Sequence, residues 1–317
     1  MAAVGDDWYQ RRRQDDEGDF FRKVAAQGPR GGKTTSSNQG VYCLTADGRL
    51  LGYIPGDVAP ARMKAMVESS LAKWRALPER VRRPNAIKVG DPVKVDLKYD
   101  RHPPEGGLII EVHTRALERD ETEGFRDAQC EFGDSTATDH LWITREEAEQ
   151  LRGPRPNDTP KVGDSWPVPD AVARRIARFN LVDNTRGEPF HWSNEQLREF
   201  GMTLKVTEVT PNKVRLQLEG RFELTNENEP QPQPNRRGFA GTLLGRLAYD
   251  RASQTWTQFD LVAVGDHWGP PGIVEPGRPG KAPVGVAFRL VVTPSPTDLV
   301  PPQATRDLFN YYKPDRY

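Results

Sequence analysis

Cysteine is nearly absent from this chain. Among 317 residues only Cys43 and Cys130 occur, far apart and in no metal-like or redox-like spacing, which excludes a disulfide scaffold or a zinc ribbon. One disulfide between them stays open, and two free thiols are the simpler reading. Long apolar runs are missing too. No stretch approaches the ~18 residues that cross a bilayer, so no membrane span is expected. The start, Met1 to Asp7, is too polar for a signal peptide. The chain as written is expected to be soluble and cytoplasmic, or exported if a leader once preceded it. An excess of either charge is also lacking: Lys+Arg and Asp+Glu both number 45. That balance leaves no electrostatic footprint for DNA, RNA or an anionic membrane, and nucleic acid is not an expected partner.

Turn-forming residues, by contrast, are plentiful. The 28 Pro and 28 Gly with a mean hydropathy of -0.73 indicate many turns and a polar surface, while 36% hydrophobic residues suffice for a core. The length allows two domains, or one large β domain with an appendage.

The first strong pattern runs from Gln39 to Ile54, two β-prone runs joined at Asp47-Gly48, which reads as a hairpin. Met63, Met66, Val67, Leu71 and Trp74 then recur at helical spacing between Ala61 and Leu77, and Pro78 stops that helix. Upstream, Phe20, Phe21 and Val24 suggest another helix, with a strand at Ala2 to Val4 before it. Hairpin and helix, residues 39 to 77, resemble the C-terminal part of a thioredoxin-like fold. The whole chain resembles bacterial two-part proteins that join such a segment to a β-rich region. The resemblance implies a sheet completed by the hairpin and helix. Two departures limit it: there is no Cys-x-x-Cys at a helix N-terminus, where thiol pKa depression would occur, and Thr34 to Asn38 holds no proline where a thioredoxin carries its cis-proline. Thiol–disulfide exchange is therefore not expected, and the segment reads as a structural remnant or a docking surface.

Glu79 to Asn85, charged and proline-bearing, reads as a linker, dividing the chain into residues 1–85 and 86–317 with a further break near 153–160. Val93, Val95 and Leu97 alternate, as do Leu108, Ile110 and Val112, while Glu118 to Asp139 is charged and weakly patterned. Thr144 to Glu147 forms a capping box before a short helix, and Asp170 to Phe179 reads as a helix burying Val172, Ile176 and Phe179. Ser193 to Gln196 caps another. From Leu204 to Leu290 strict alternation over several runs predicts a meander with one face packed and one wet. Gly220, Gly241 and Gly245 fall on its inward register, suggesting bulges or close backbone approach. The expected architecture is α+β: a truncated thioredoxin-like segment, then a mainly antiparallel β barrel or sandwich with short edge helices.

Gly28 to Thr34 invites a phosphate-loop reading, but Gln27 stands where the first glycine belongs and the stretch leads from a helix into a strand, the reverse of what a P-loop needs. No Gly-x-Ser-x-Gly elbow is present. The remaining chemistry lies in three polar clusters, Asn180 to Glu188, His191-Trp192 and Gly265 to Gly269, together with Asp139-His140. A carboxylate beside histidine can fix a tautomer, and histidines from several loops can bind a divalent metal. Asp139, His140, Asp183, Arg186, Glu188, His191, Asp266 and His267 are the candidate site residues, with His140, His191 and His267 as metal ligands. The same residues also suit braced turns and capped core ends. Two functions compete: a binding or structural protein that engages a protein partner or small ligand, without an assured cofactor, and a metal-assisted or acid–base hydrolase in which Arg186 holds an anionic group.

Overall fold

The computed structural model describes residues 16–29, 40–55, 59–83, 102–122, 124–129, 135–153, 160–185, 187–227, 235–272 and 278–315. The strand expected at Ala2 to Val4, the alternation at Val93 to Leu97, the phosphate-loop-like residues after Pro29, Cys130 and Arg186 lie outside them. Contacts divide the chain into two units, residues 1–102 with 295–301, and residues 103–294 with 302–317.

In the first unit, α1 (Asp16–Ala25) buries Val24 and Ala25. Strands β1 (Val41–Leu44) and β2 (Leu50–Ile54) pair antiparallel, so the hairpin forms as the sequence predicts. Its connection is not a two-residue turn, however. Residues 45–49 form a wider loop closed by Thr45 N–H to Arg49 O at 3.0 Å, and only Gly48 takes a positive φ, of 78°. Gln27 straps this loop, donating to Gly48 O at 2.6 Å and accepting from Leu50 N at 3.0 Å.

Helix α2 (Pro60–Ala76) starts on Pro60 at its first turn and ends two residues before Pro78, as proline stereochemistry requires. It meets the hairpin through Met66, whose sulfur lies 3.5 Å from the Cys43 thiol, and Lys73, which donates to Leu51 O at 2.7 Å. The expected linker at Glu79 instead opens with one helical turn, α3 (Glu79–Arg82), where Arg83 pairs with Glu79 one turn away at 2.9 Å.

The second unit is a large antiparallel sheet. Its strands are β3 (Leu108–Arg119), β4 (Phe125–Asp127), β5 (Thr136–Ile143), β6 (Ser165–Pro167), β7 (Leu197–Glu199), β8 (Met202–Val209), β9 (Lys213–Thr225), β10 (Gly238–Asp250), β11 (Trp256–Trp268) and β12 (Lys281–Leu290). They are ordered β4-β3-β12-β11-β10-β9-β8-β6, with β5 also on β3 and β7 also on β9. The meander expected from alternation is present, and neighbours in sequence from β8 to β12 are neighbours in space. One face carries Leu216, Leu218, Phe222, Phe239, Leu243, Leu247, Phe259, Leu261, Val284, Val286 and Phe288, all buried. The other carries Arg215, Glu219, Arg246, Asp260 and Arg289, all exposed.

Closure into a barrel, one of the expected forms, is not observed: among the described residues β6 and the β4/β5 edge do not pair. The physical reason at β5 is that side chains already occupy its outward backbone groups, as described below. The inward glycines do mark close approach. A Cβ on Gly241 would stand 2.2 Å from Val264 O, and one on Gly265 2.1 Å from Ala240 O, so β10 and β11 cross there with no room for a side chain.

Against the packed face lies α5 (Asp170–Arg175), which continues as a π turn over Ile176–Asn180. Val172, Ile176, Ala177 and Leu181 from this segment join the sheet's core. A helix over 170–179 is thus present, but its last turn is wider than the 3.6-residue period predicts. Helix α4 (Arg145–Gln150) has the expected capping box, with both the Thr144 and Glu147 hydrogen bonds formed. A 3-10 turn, Asn194–Gln196, stands where Ser193 was expected to cap a helix. The chain finishes with 3-10 turns Pro296–Leu299 and Gln303–Asp307 and with α6 (Leu308–Tyr312).

Candidate functional site

Strand β5 ends one side of the sheet, and an edge strand must hide its unpaired backbone groups. Here three side chains from distant parts of the sequence do so. Trp142 N–H donates to Tyr311 Oη at 2.8 Å, Arg175 donates to Trp142 O at 3.2 Å, and Asn180 Nδ2 reaches His140 O at 3.5 Å. Glu147 does not touch the edge but holds Arg175 with two parallel bonds of 2.7 Å each. Arg175 Nε also donates to Tyr311 O at 2.7 Å, and its guanidinium lies 5.0 Å from the Tyr311 ring.

Arg175 is fully buried and Glu147 nearly so. Burial works against ionisation of Glu147, but the Arg175 bonds outweigh it and hold the carboxyl below its ordinary range. Burial likewise opposes the charge on Arg175, and Glu147 outweighs it to raise the guanidinium's pKa. Such a bidentate pair is geometrically specific. Burial pushes the Tyr311 phenol far above its usual range and the Tyr312 phenol up to about 12. Neither ionises near neutrality.

The π turn is the hub of a buried polar cap. Asn180, Asp183, Asn184 and Thr185 are all more than nine-tenths buried, and Asp183 Oδ1 accepts from Thr185 N at 3.1 Å and Thr185 Oγ1 at 2.6 Å, an Asx turn. Phe179 sets its ring 5.3 Å from His191 and 5.8 Å from Tyr311. Arg178 donates to Trp192 O at 2.8 Å and to Pro314 O at 2.7 Å. Arg237, just before β10, donates to Phe190 O and His191 O at 2.9 Å each and stacks 3.9 Å from the Trp192 ring. The Oδ1 atoms of Asn180 and Asn184 and Nε1 of Trp142 have no hydrogen-bond partner among the described residues.

The expected site residues divide unequally over this frame. Asp139 and His140 leave β5 on opposite faces, because His140 is in register with Glu111 and Asp139 with Val112. Asp139 accepts from Gln303 N at 2.9 Å. Asp266 and His267 are likewise opposed. Asp266 faces the wet side and pairs with Arg119 at 2.8 Å, while His267 is buried with its ring 5.9 Å from Phe239. The Asp–His neighbours therefore do not form the tautomer-fixing pairs that adjacency suggested.

His191 and His267 do belong to one end of the sheet. Phe190 N bonds Pro271 O at 3.0 Å, Pro189 bridges Gly272, and Arg237 ties His191 to the start of β10 beside Phe239. Glu188 lies half-buried in that loop. His140 is not there. Its register runs through Glu111 and Arg289 to Asp260, on the wet-side face and seven residues along β11 from His267. At ~3.3 Å per residue the two histidines cannot share a metal, whose bonds to nitrogen are only ~2 Å long. Of the three histidines expected as ligands, the structure thus places His191 and His267 toward one end of the sheet and His140 away from it. Among the described residues, no three of His, Cys, Asp and Glu gather as ligands would.

Of the residues that hold the cap together, Arg175, Arg178, Arg237 and Tyr311 were not singled out by the sequence. The capping box flagged Glu147 alone. On the wet face a separate shallow groove of about 370 Å³ is lined by Thr207, Glu208, Arg215, Gln217, Arg246 and Gln258. Within the described residues no helix is long and apolar enough to cross a membrane. No protein-family model matches the chain, and neither a curated protein nor a solved structure matches it.

Proposed function

We propose that this chain is a non-catalytic binding protein, in which a redox-inactive thioredoxin-like segment serves as a docking module and the β unit as a rigid scaffold with a ligand-accepting wet face. The observation that carries this reading is the use made of the polar cluster. Arg175, Arg178 and Arg237 spend their donors on the backbone carbonyls of Trp142, Tyr311, Trp192, Pro314, Phe190 and His191. Groups committed to backbone in this way fasten the structure and are not poised for substrate. Support also comes from Cys43, whose half-buried free thiol faces the Met66 sulfur.

The competing hydrolase reading keeps one supporting observation, the buried side-chain Oδ1 atoms of Asn180 and Asn184 that lack partners among the described residues. A His267→Ala variant, paired with elemental analysis of the purified wild type, separates the two. On the binding reading the wild type carries no stoichiometric metal and the variant loses stability alone, by about 1–3 kcal/mol. Stoichiometric zinc, manganese or iron that the variant releases would establish the hydrolase reading instead.

A further inference from the structure

Helix α2 has two faces with different fates. Met66 and Ser70 turn toward the hairpin, and Ser70 is only 3% exposed. Val67, Leu71 and Trp74 lie at i, i+4 and i+7, one stripe on the helix surface, and are 46%, 41% and 36% exposed. An apolar stripe of that regularity left in water is not accounted for by scattered surface hydrophobicity.

The charge around it is lopsided. Residues 60–83 hold seven basic side chains and two acidic ones, in a chain whose totals are equal. Both acids are engaged locally, Glu68 by Lys64 at 3.9 Å and Glu79 by Arg83 at 2.9 Å. Arg82 lies 5.4 Å from the Trp74 ring, which places a cation at the end of the stripe. Arg62, Arg75 and Arg80 have no carboxylate partner among the described residues.

From this juxtaposition we infer that α2 docks an amphipathic helix of a partner protein whose apolar ridge is bordered by Asp and Glu. The inference rests on the docking-module reading and gives it a partner chemistry. The stripe covers seven residues of rise, ~10 Å, which suits one ridge of a facing helix. It is too narrow for a helix lying in a bilayer interface, where a broad apolar face is buried, and α2 meets the hairpin on its other side, through Met66, Ser70 and Lys73. Carboxylates on the partner answer the unpaired arginines and steer the encounter.

The probe is a fluorescein-labelled synthetic helix of three heptads, Leu at a and d and Glu at e and g, titrated against the full chain by anisotropy. A peptide of the same composition with the leucines scattered is the control. The patterned peptide is expected to bind, more weakly as salt rises, and the control to bind at least tenfold less. Leu71→Ser and Trp74→Ala should each weaken binding at least tenfold and Arg75→Glu several-fold, with circular dichroism and thermal midpoint unchanged. Absent binding, equal binding of the control, or affinity untouched in these variants overturns the inference. So does preferential binding to phosphatidylserine vesicles or to duplex DNA that the same variants abolish. The metal content and His267→Ala test concern the other unit, so the docking site can fail while the binding-protein reading stands, and the reverse.

Discussion

The backbone N–H of Trp142 donates to the hydroxyl oxygen of Tyr311, 169 residues further along the chain and 2.8 Å away. With Arg175, which bonds both Tyr311 O and Trp142 O, this bond ties α6 to the edge strand β5. Replacing Tyr311 by Phe leaves a buried N–H unpaired, and the expected loss is about 1–3 kcal/mol, read from urea unfolding at neutral pH. The same phenol, like those of Tyr249 and Tyr312, is held above its ordinary pKa of 10.0, burial being the first cause in each. Their contribution to stability is full below pH 10 and is lost as pH rises, because the unfolded chain ionises first. A spectrophotometric alkaline titration should therefore show these three phenols still protonated above pH 10 and ionising when the protein unfolds. Ionisation of Tyr249, Tyr311 and Tyr312 at the ordinary phenol value in the folded state would contradict the arrangement.

The Glu147–Arg175 pair has a second pH signature of opposite sign. The Glu147 carboxyl is held below its ordinary value of 4.5 by Arg175 against the effect of burial. Its stabilisation is fully present above pH 4.5 and disappears as pH falls through the lower folded value. Glu147→Gln should cost about 3–5 kcal/mol at pH 7, since it leaves Arg175 buried without its counter-charge, and should flatten the acid limb of the stability curve. An acid limb identical to wild type would show that other carboxylates set it.

Two glycines give a paired packing test. Gly241→Ala places a methyl 2.2 Å from the carbonyl oxygen of Val264, which is backbone and cannot step aside, whereas a Cβ on Gly201 meets nothing within 4 Å. The first substitution should destabilise by about 1–3 kcal/mol or more. The second should be neutral or stabilising by up to about 1 kcal/mol. Equal midpoints for the two variants in thermal unfolding would mean that β10 and β11 do not approach so closely.

Much of the sheet was legible because β8 to β12 bury one face and wet the other, so Leu216, Leu218 and Phe222 alternate with Arg215, Gln217 and Glu219. Strand β5 escaped notice for the converse reason. Leu141, Trp142 and Ile143 are buried consecutively, which erases the period of two, and its first half is polar. The cap escaped because Arg175, Arg178 and Arg237 read as surface charges in any one-dimensional pattern. Their partners are carbonyls of Tyr311, Pro314 and Phe190, and a carbonyl has no sequence identity. Adjacency misled at Asp139-His140 and Asp266-His267, where strand geometry sends neighbours to opposite sides.

The π turn at Ile176–Asn180 has the geometry of an α-helix into which one residue has been inserted. That surplus brings Phe179 against both His191 and Tyr311 and Asn180 to the rim of β5. A chain of the same design lacking one residue between Arg175 and Leu181 would rotate both groups away and leave its C-terminal segment without this anchorage. The length of this helix, together with the arginines it carries, decides how the segment around Tyr311 is fastened down.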